Sequence, residues 1–91
     1  MELSWKITYK KSVKKDLKSI SKDIQYIIKR AIEEKLMIDP IKFGLPLRRN
    51  LKGYMKLRVG DYRIIYSIDE SIVTVHVIKI GHRKDVYGRM E

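Results

Sequence analysis

The chain contains no cysteine, which excludes a disulfide scaffold, a thiolate zinc site and a cysteine nucleophile. Its two histidines, His76 and His82, are too few for a histidine-built metal centre, so no metal and no cofactor is expected. No apolar run approaches the roughly 20 residues that a membrane span needs, which excludes a transmembrane protein. The opening residues, Met1-Glu2-Leu3-Ser4-Trp5-Lys6, lack an apolar stretch before a small-residue cleavage site, so a secretory signal is not expected and the expected location is the cytoplasm. Low-complexity segments, internal repeats and linkers are also missing.

What remains is a single domain over residues 1–91, with 44% apolar and 35% charged residues, enough to build a core. It carries 21 Lys and Arg against 11 Asp and Glu, a net charge of +10 that draws in polyanions and acidic proteins. The positive charge is densest in residues 39–67, around Arg48, Arg49, Lys52, Lys56, Arg58 and Arg63.

Trp5, Ile7 and Tyr9 alternate over residues 4–9, which predicts a strand. Ser12 is placed to cap a short helix with Val13, Leu17 and Ile20 on one side. Ser21 is placed to cap a second helix, with Asp23 in its first turn and an apolar stripe of Ile24, Ile27, Ile28, Ala31 and Ile38. Asp39-Pro40 ends that helix, because the residue before proline disfavours helical backbone. Residues 41–53 read as a loop. Three strands follow over 54–59, 62–68 and 72–80, separated by turns at Gly60-Asp61 and Asp69-Glu70-Ser71. The order β-α-α-β-β-β is an α+β domain, a mainly antiparallel sheet with a two-helix hairpin on one face. The helices take the face bearing Leu57, Ile64 and Tyr66. The opposite face, left uncovered, is expected to present Lys56, Arg58 and Arg63.

Residues 46–66 run Pro-Leu-Arg-Arg-Asn-Leu-Lys-Gly-Tyr-Met-Lys-Leu-Arg-Val-Gly-Asp-Tyr-Arg-Ile-Ile-Tyr, and residues 80–87 run Ile-Gly-His-Arg-Lys-Asp-Val-Tyr. With the element order, these two blocks resemble the RelE-type toxins of prokaryotic toxin–antitoxin pairs, within the RelE/ParE superfamily. The resemblance implies a RelE-like fold and a ribosome-dependent mRNA endonuclease that cuts in the A site and inhibits translation. It implies an acidic, RelB-like antitoxin folding across the basic face, and the ribosome with its A-site mRNA as further partners. Carried over position by position, Lys56, Arg63, Arg83 and Tyr87 match the catalytic set, with His82 beside them. Tyr54 stands where some members carry a second lysine.

The chemistry follows from the residue types. RNA cleavage without a metal uses the substrate's own 2′-hydroxyl as nucleophile. It requires a proton acceptor, cations at the pentavalent phosphate and a donor to the leaving 5′-oxygen. Arg63 supplies a two-pronged phosphate clamp, and Arg83 a permanent charge. A lysine beside arginines releases its proton more readily, as a base at Lys56 would require. Tyr87 is suited to base stacking or proton relay. His82 is the residue type that titrates near neutrality. These types leave the base and the acid unassigned. Arg58, Arg48, Arg49, Lys52, Lys14 and Lys18 are expected to bind RNA phosphates without reading sequence. His76, on an apolar strand, reads as structural. The alternatives on the same scaffold are a ParE-like toxin that inhibits DNA gyrase without catalysis, and an RNA-binding module with no chemistry.

Overall fold

The computed structural model describes residues 4–48 and 51–86. In chain order the elements are β1 (Lys6–Tyr9), α1 (Ser12–Lys18), α2 (Lys22–Ala31), a π-helical turn (Ile32–Leu36), α3 (Pro40–Phe43), β2 (Leu45–Pro46), β3 (Met55–Val59), β4 (Tyr62–Asp69), a 3-10 turn (Glu70–Ile72) and β5 (Thr74–His82). The five strands form one sheet in the order β1-β5-β4-β3-β2. The β1–β5 pair is parallel and the other three pairs are antiparallel. Among the described residues no helix is long and apolar enough to cross a membrane. The α+β architecture expected from the sequence is observed, with an additional edge strand and a third short helix inside the stretch read as a loop.

Ser21 caps α2 as expected, its hydroxyl accepting from the Ile24 amide at 3.4 Å. Ser12 does not cap α1. The turn has already begun at Lys11, which is itself helical, and no side chain caps that end. Downstream, the buried positions are Ile28, Ile32 and Leu36, while Ile27 and Ile38 are about half exposed. Apolar residues spaced by four drift by about 40° per step around a regular α-helix. The widened turn, closed by the Met37 amide on the Ile32 carbonyl at 2.9 Å, brings Leu36 back over the core. Pro40 does stop the long helix, yet it also starts α3. Asp39 is extended, and its carboxylate accepts from the Lys42 amide at 3.0 Å.

The main core lies between the helices and one sheet face, where Val13, Ile20, Ile28, Ile32 and Leu36 meet Leu57, Ile64, Tyr66, Val75, Val77 and Ile80. Tyr66 is fully buried and its hydroxyl donates to the Pro40 carbonyl at 2.6 Å. That bond ties α3 to β4 and leaves no room for a side chain at Gly44, whose Cβ would overlap the Tyr66 hydroxyl. His76 is structural in its setting: Thr8 Oγ1 and His76 Nδ1 are 2.7 Å apart, joining β1 to β5.

Burial pushes the Tyr66 phenol up to about 12, because the phenolate would lose its hydration. The folded value lies above the unfolded one of about 10, so this stabilisation is complete below that pH and is lost as pH climbs through the folded value. In an alkaline titration of phenolate absorbance, one of the six tyrosines should ionise last and together with loss of the fold. Tyr66→Phe should remove that late step. Ionisation of every tyrosine in a single step, with the fold intact, would contradict this account.

Candidate active site

The β3–β4 hairpin determines which side chains share a face. Its two-residue turn begins at Gly60, whose φ of 60° suits glycine. The register pairs Leu57 with Ile64, Arg58 with Arg63 and Lys56 with Ile65. Alternation then sends Met55, Leu57, Val59, Tyr62 and Ile64 toward the helices and Lys56, Arg58, Arg63 and Ile65 to the other side. The three expected strand cations therefore share a face, and on β5 their neighbours are Gly81, opposite Arg63, and Lys79, opposite Ile65.

Arg63 Nη1 donates to the carbonyls of Gly60 and Tyr62, both at 2.8 Å. These bonds hold the guanidinium at the hairpin turn. Among the described residues Nε and Nη2 carry no hydrogen bond and remain available to an anion. Arg83 is fastened to the same turn. Its amide donates to the Asp61 carbonyl at 2.8 Å, and its Nε lies 3.7 Å from the Asp61 carboxylate. Two arginines from distant parts of the chain are thus tied to one hairpin turn. Arg58 is exposed and Lys56 is half-buried.

His82 falls elsewhere. It pairs with Tyr62, one register step from the Arg63–Gly81 pair, and so lies on the helix side. Its ring meets Tyr62 edge-on, with centroids 5.5 Å apart. Its Nδ1 accepts from the Lys84 amide at 3.2 Å, and its carbonyl accepts from the Asp85 and Val86 amides. In the neutral ring this leaves the proton on Nε2. His82 organises the turn after β5. That turn brings Val86 over the basic face, against Gly81. Val86 and Ile65 are fully buried yet lie outside the main core cluster. The face expected to be uncovered is therefore partly covered, by the turn through Val86 rather than by a helix.

Arg48 and Lys52 are exposed on the loop between β2 and β3. Arg48 lines a depression with Lys56 and Arg58, bounded also by Leu45, Pro46, Leu47 and Leu51. Lys14 and Lys18 are exposed on α1, in the helical layer. Lys14 borders a different feature, an apolar cleft of about 930 Å³ between α1 and α2. Its floor includes Val13, Leu17, Ile28 and Ile80, Tyr9 and Tyr26 stand at it, and its charged lining is Lys10, Lys11, Lys14, Lys22 and Lys29. Arg49 and Tyr87 lie outside the described residues.

Sequence reasoning missed Asp16. β1 ends before β5 does, and the Asp16 carboxylate takes the place of a strand at the exposed β5 edge. It accepts from the Ile80 amide at 3.1 Å and from Lys79 Nζ at 3.2 Å. Lys79 is thereby committed to an ion pair whose partners are 16% and 8% exposed. A single carboxylate in a lysine-rich helix gives no such signal in the sequence. Asp16→Ala would strand the Ile80 amide and Lys79 together, at a cost of about 3 kcal/mol in urea unfolding. A loss below about 1 kcal/mol would contradict this role.

A family model described as the ParE toxin of the type II toxin–antitoxin system parDE matches residues 7–87. The chain is 43% identical over 51 residues to Toxin RelG of Mycobacterium tuberculosis, a match that covers 56% of this chain and 59% of that protein, so it spans little more than half of that relative. It is 31% identical over 85 residues to Toxin RelE3 of Methanocaldococcus jannaschii, covering 90% of this chain and 94% of that one. Among solved structures, the RelBE2 toxin–antitoxin complex of M. tuberculosis contains a chain that superposes with a TM-score of 0.83 at 29% identity, over 88% of this chain and 99% of that one.

Proposed function

We propose that this chain, which belongs to the ParE toxin family of type II toxin–antitoxin systems, is a cytoplasmic endoribonuclease that cuts messenger RNA in the ribosomal A site and so stops translation. The observation that carries this reading is the meeting of Lys56, Arg58 and Arg63 on one sheet face, with Arg83 anchored to the same hairpin turn. RNA offers one phosphate per nucleotide, and this arrangement suits a single such group approached from several sides. The chain's resemblance to RelE-type toxins supports the same reading.

In the proposed reaction the 2′-hydroxyl attacks the adjacent phosphorus, its proton leaves to a base, and the bond to the 5′-oxygen breaks as that oxygen takes up a proton. The products are a 2′,3′-cyclic phosphate and a 5′-hydroxyl end. Arg63 clamps the non-bridging oxygens through Nε and Nη2, and Arg83 adds charge where the pentavalent phosphate gathers it. Lys56 faces the same phosphate from β3, and Tyr87 is the residue that the resemblance assigns to the substrate. His82, committed to its turn on the helix side, positions the segment carrying Arg83 and does not touch substrate. Among the described residues the site holds no dedicated strong base, so in this proposal it relies on the ribosome to align the attacking hydroxyl.

Purified protein added to translating ribosomes should cut the message, and Arg63→Ala and Arg83→Ala should each slow cutting by about 100-fold or more. Equal cutting by wild type and both variants would overturn the site. The ParE description of the matching family favours a second reading, a gyrase inhibitor without catalysis. Blocked supercoiling with translation undisturbed would establish it instead.

The inhibitory partner in this proposal is an acidic antitoxin, and the α1–α2 cleft is its seat. Among the described residues, five lysines and no acid line the apolar floor, the complement of an amphipathic segment with acidic flanks. Such a complex should weaken as salt rises and weaken further with Lys14→Glu and Lys29→Glu. Affinity indifferent to both would argue for apolar anchoring alone.

A further inference from the structure

His82 takes no part in the proposed reaction, yet it is a residue type that ionises near neutrality. Three bonds of the turn after β5 converge on it. Its Nδ1 accepts from the Lys84 amide at 3.2 Å. Its carbonyl accepts from the Asp85 amide at 2.8 Å and from the Val86 amide at 3.0 Å. The ring stands edge-on to Tyr62, at an interplanar angle of 78°. The turn so built acts on the other side of the sheet in two ways. It sets Val86, fully buried, against Gly81. It also carries Arg83, whose amide and Nε both reach Asp61.

An amide N–H can only donate, so the bond from Lys84 exists only while Nδ1 keeps its lone pair. Protonation puts an N–H on Nδ1, aimed at another N–H. The bond is lost and two donors face each other. The surroundings offer the imidazolium nothing in return. Tyr62 stands beside it on β4, and β3 meets Tyr62 with the apolar Val59. Lys84 and Asp85 lie in its own turn, and Asp61 at the hairpin is turned to Arg83. On α1, Asp16 reaches β5 at Ile80, where it is committed to Lys79 and the Ile80 amide. Among the described residues no carboxylate pairs with the ring.

We infer that His82 is a pH-sensitive latch: its neutral ring closes the turn over Gly81 and holds Arg83 in place, and protonation releases that turn. The closed turn and the extra proton exclude each other, so closure is complete above the range in which imidazoles titrate and weakens as pH falls through it. The latch rests on the RNA-cleavage reading for its consequence. With the turn open, Arg83 is tethered through Asp61 alone, and the phosphate loses a charge fixed in position. His82 is thus a positioning residue, which acts through Arg83 from the opposite face of the sheet.

The test is amide NMR on the full chain at about pH 7.5 and about pH 5.5, a window in which imidazoles titrate while ordinary carboxylates stay charged. Hydrogen exchange at the Val86 amide, corrected for the intrinsic effect of pH, should lose about tenfold of its protection on acidification, the size expected when a bond gives way to two facing donors. The Lys84 amide resonance should move along the same curve as the His82 ring protons. His82→Asn places a carboxamide oxygen where Nδ1 stands, an acceptor that does not titrate, and should keep Val86 protected at both pH values. His82→Ala has no acceptor and should leave Val86 poorly protected at both. Protection in the wild type that is the same at both pH values would overturn the latch. So would His82→Ala protecting Val86 as well as the wild type does at the higher pH. Loss of protection in His82→Asn in step with the wild type would overturn it too, because acid would then act elsewhere, at His76 for instance. The measurement uses no RNA. A chain that cuts RNA with Val86 equally protected at both pH values loses the latch alone, whereas one whose turn opens in acid but which cuts nothing loses the nuclease reading alone.

Discussion

The register of the β3–β4 hairpin is the constraint on which the rest depends. Leu57 opposite Ile64 and Arg58 opposite Arg63 make one face apolar and the other cationic. A slip of one residue would drive Arg58 and Arg63 into the helices and expose Leu57 and Ile64. The burial of Leu57, Ile64 and Tyr66 therefore enforces the positive face without any attraction among its charges, which repel one another. The tight turn at Gly60 helps to set that register, and the same turn then holds both arginines, Arg63 through the Gly60 carbonyl and Arg83 through Asp61. Folding energy and site geometry meet in one short segment.

The two faces of the sheet are treated differently. The helix side carries the main core and, between α1 and α2, an apolar cleft rimmed by lysines. The other side carries the cations and a small second apolar contact, Val86 over Gly81, with Ile65 buried in the same face. The turn through Val86 thus lies across part of the face that would hold RNA, and it is fastened there by the bonds around His82. An antitoxin in the cleft and a message on the basic face would occupy opposite sides of the sheet. Inhibition would then require the partner's chain to extend beyond its seat.

The helical stripes and the three long strands were legible because their apolar spacing follows the geometry of each element. The shared face of Lys56, Arg58 and Arg63 was legible for the same reason, since alternation in two strands joined by a short turn admits one arrangement. What was not legible depended on contacts distant in sequence. Asp16 reads as one more charge on a helix until the end of β1 exposes the β5 edge to it. Leu45 and Pro46 read as loop because a two-residue strand has no period. Ile38 reads as core and Leu36 does not, because the π-helical turn over Ile32–Leu36 shifts the phase in a way that regular helical spacing does not foresee. His82 stood next to Arg83 in sequence, and the alternation of β5 placed its ring on the other side.

The central claim is that these cations act on a phosphate attacked by its neighbouring 2′-hydroxyl. The chemistry of the new RNA ends tests it most directly. Messages recovered from ribosomes exposed to the protein should end in a 2′,3′-cyclic phosphate on the upstream fragment and a 5′-hydroxyl on the downstream one. Upstream 3′-hydroxyl ends with downstream 5′-phosphates would mean that water or another nucleophile attacks. Intact messages would mean that the basic face serves binding alone. Either result would contradict the account.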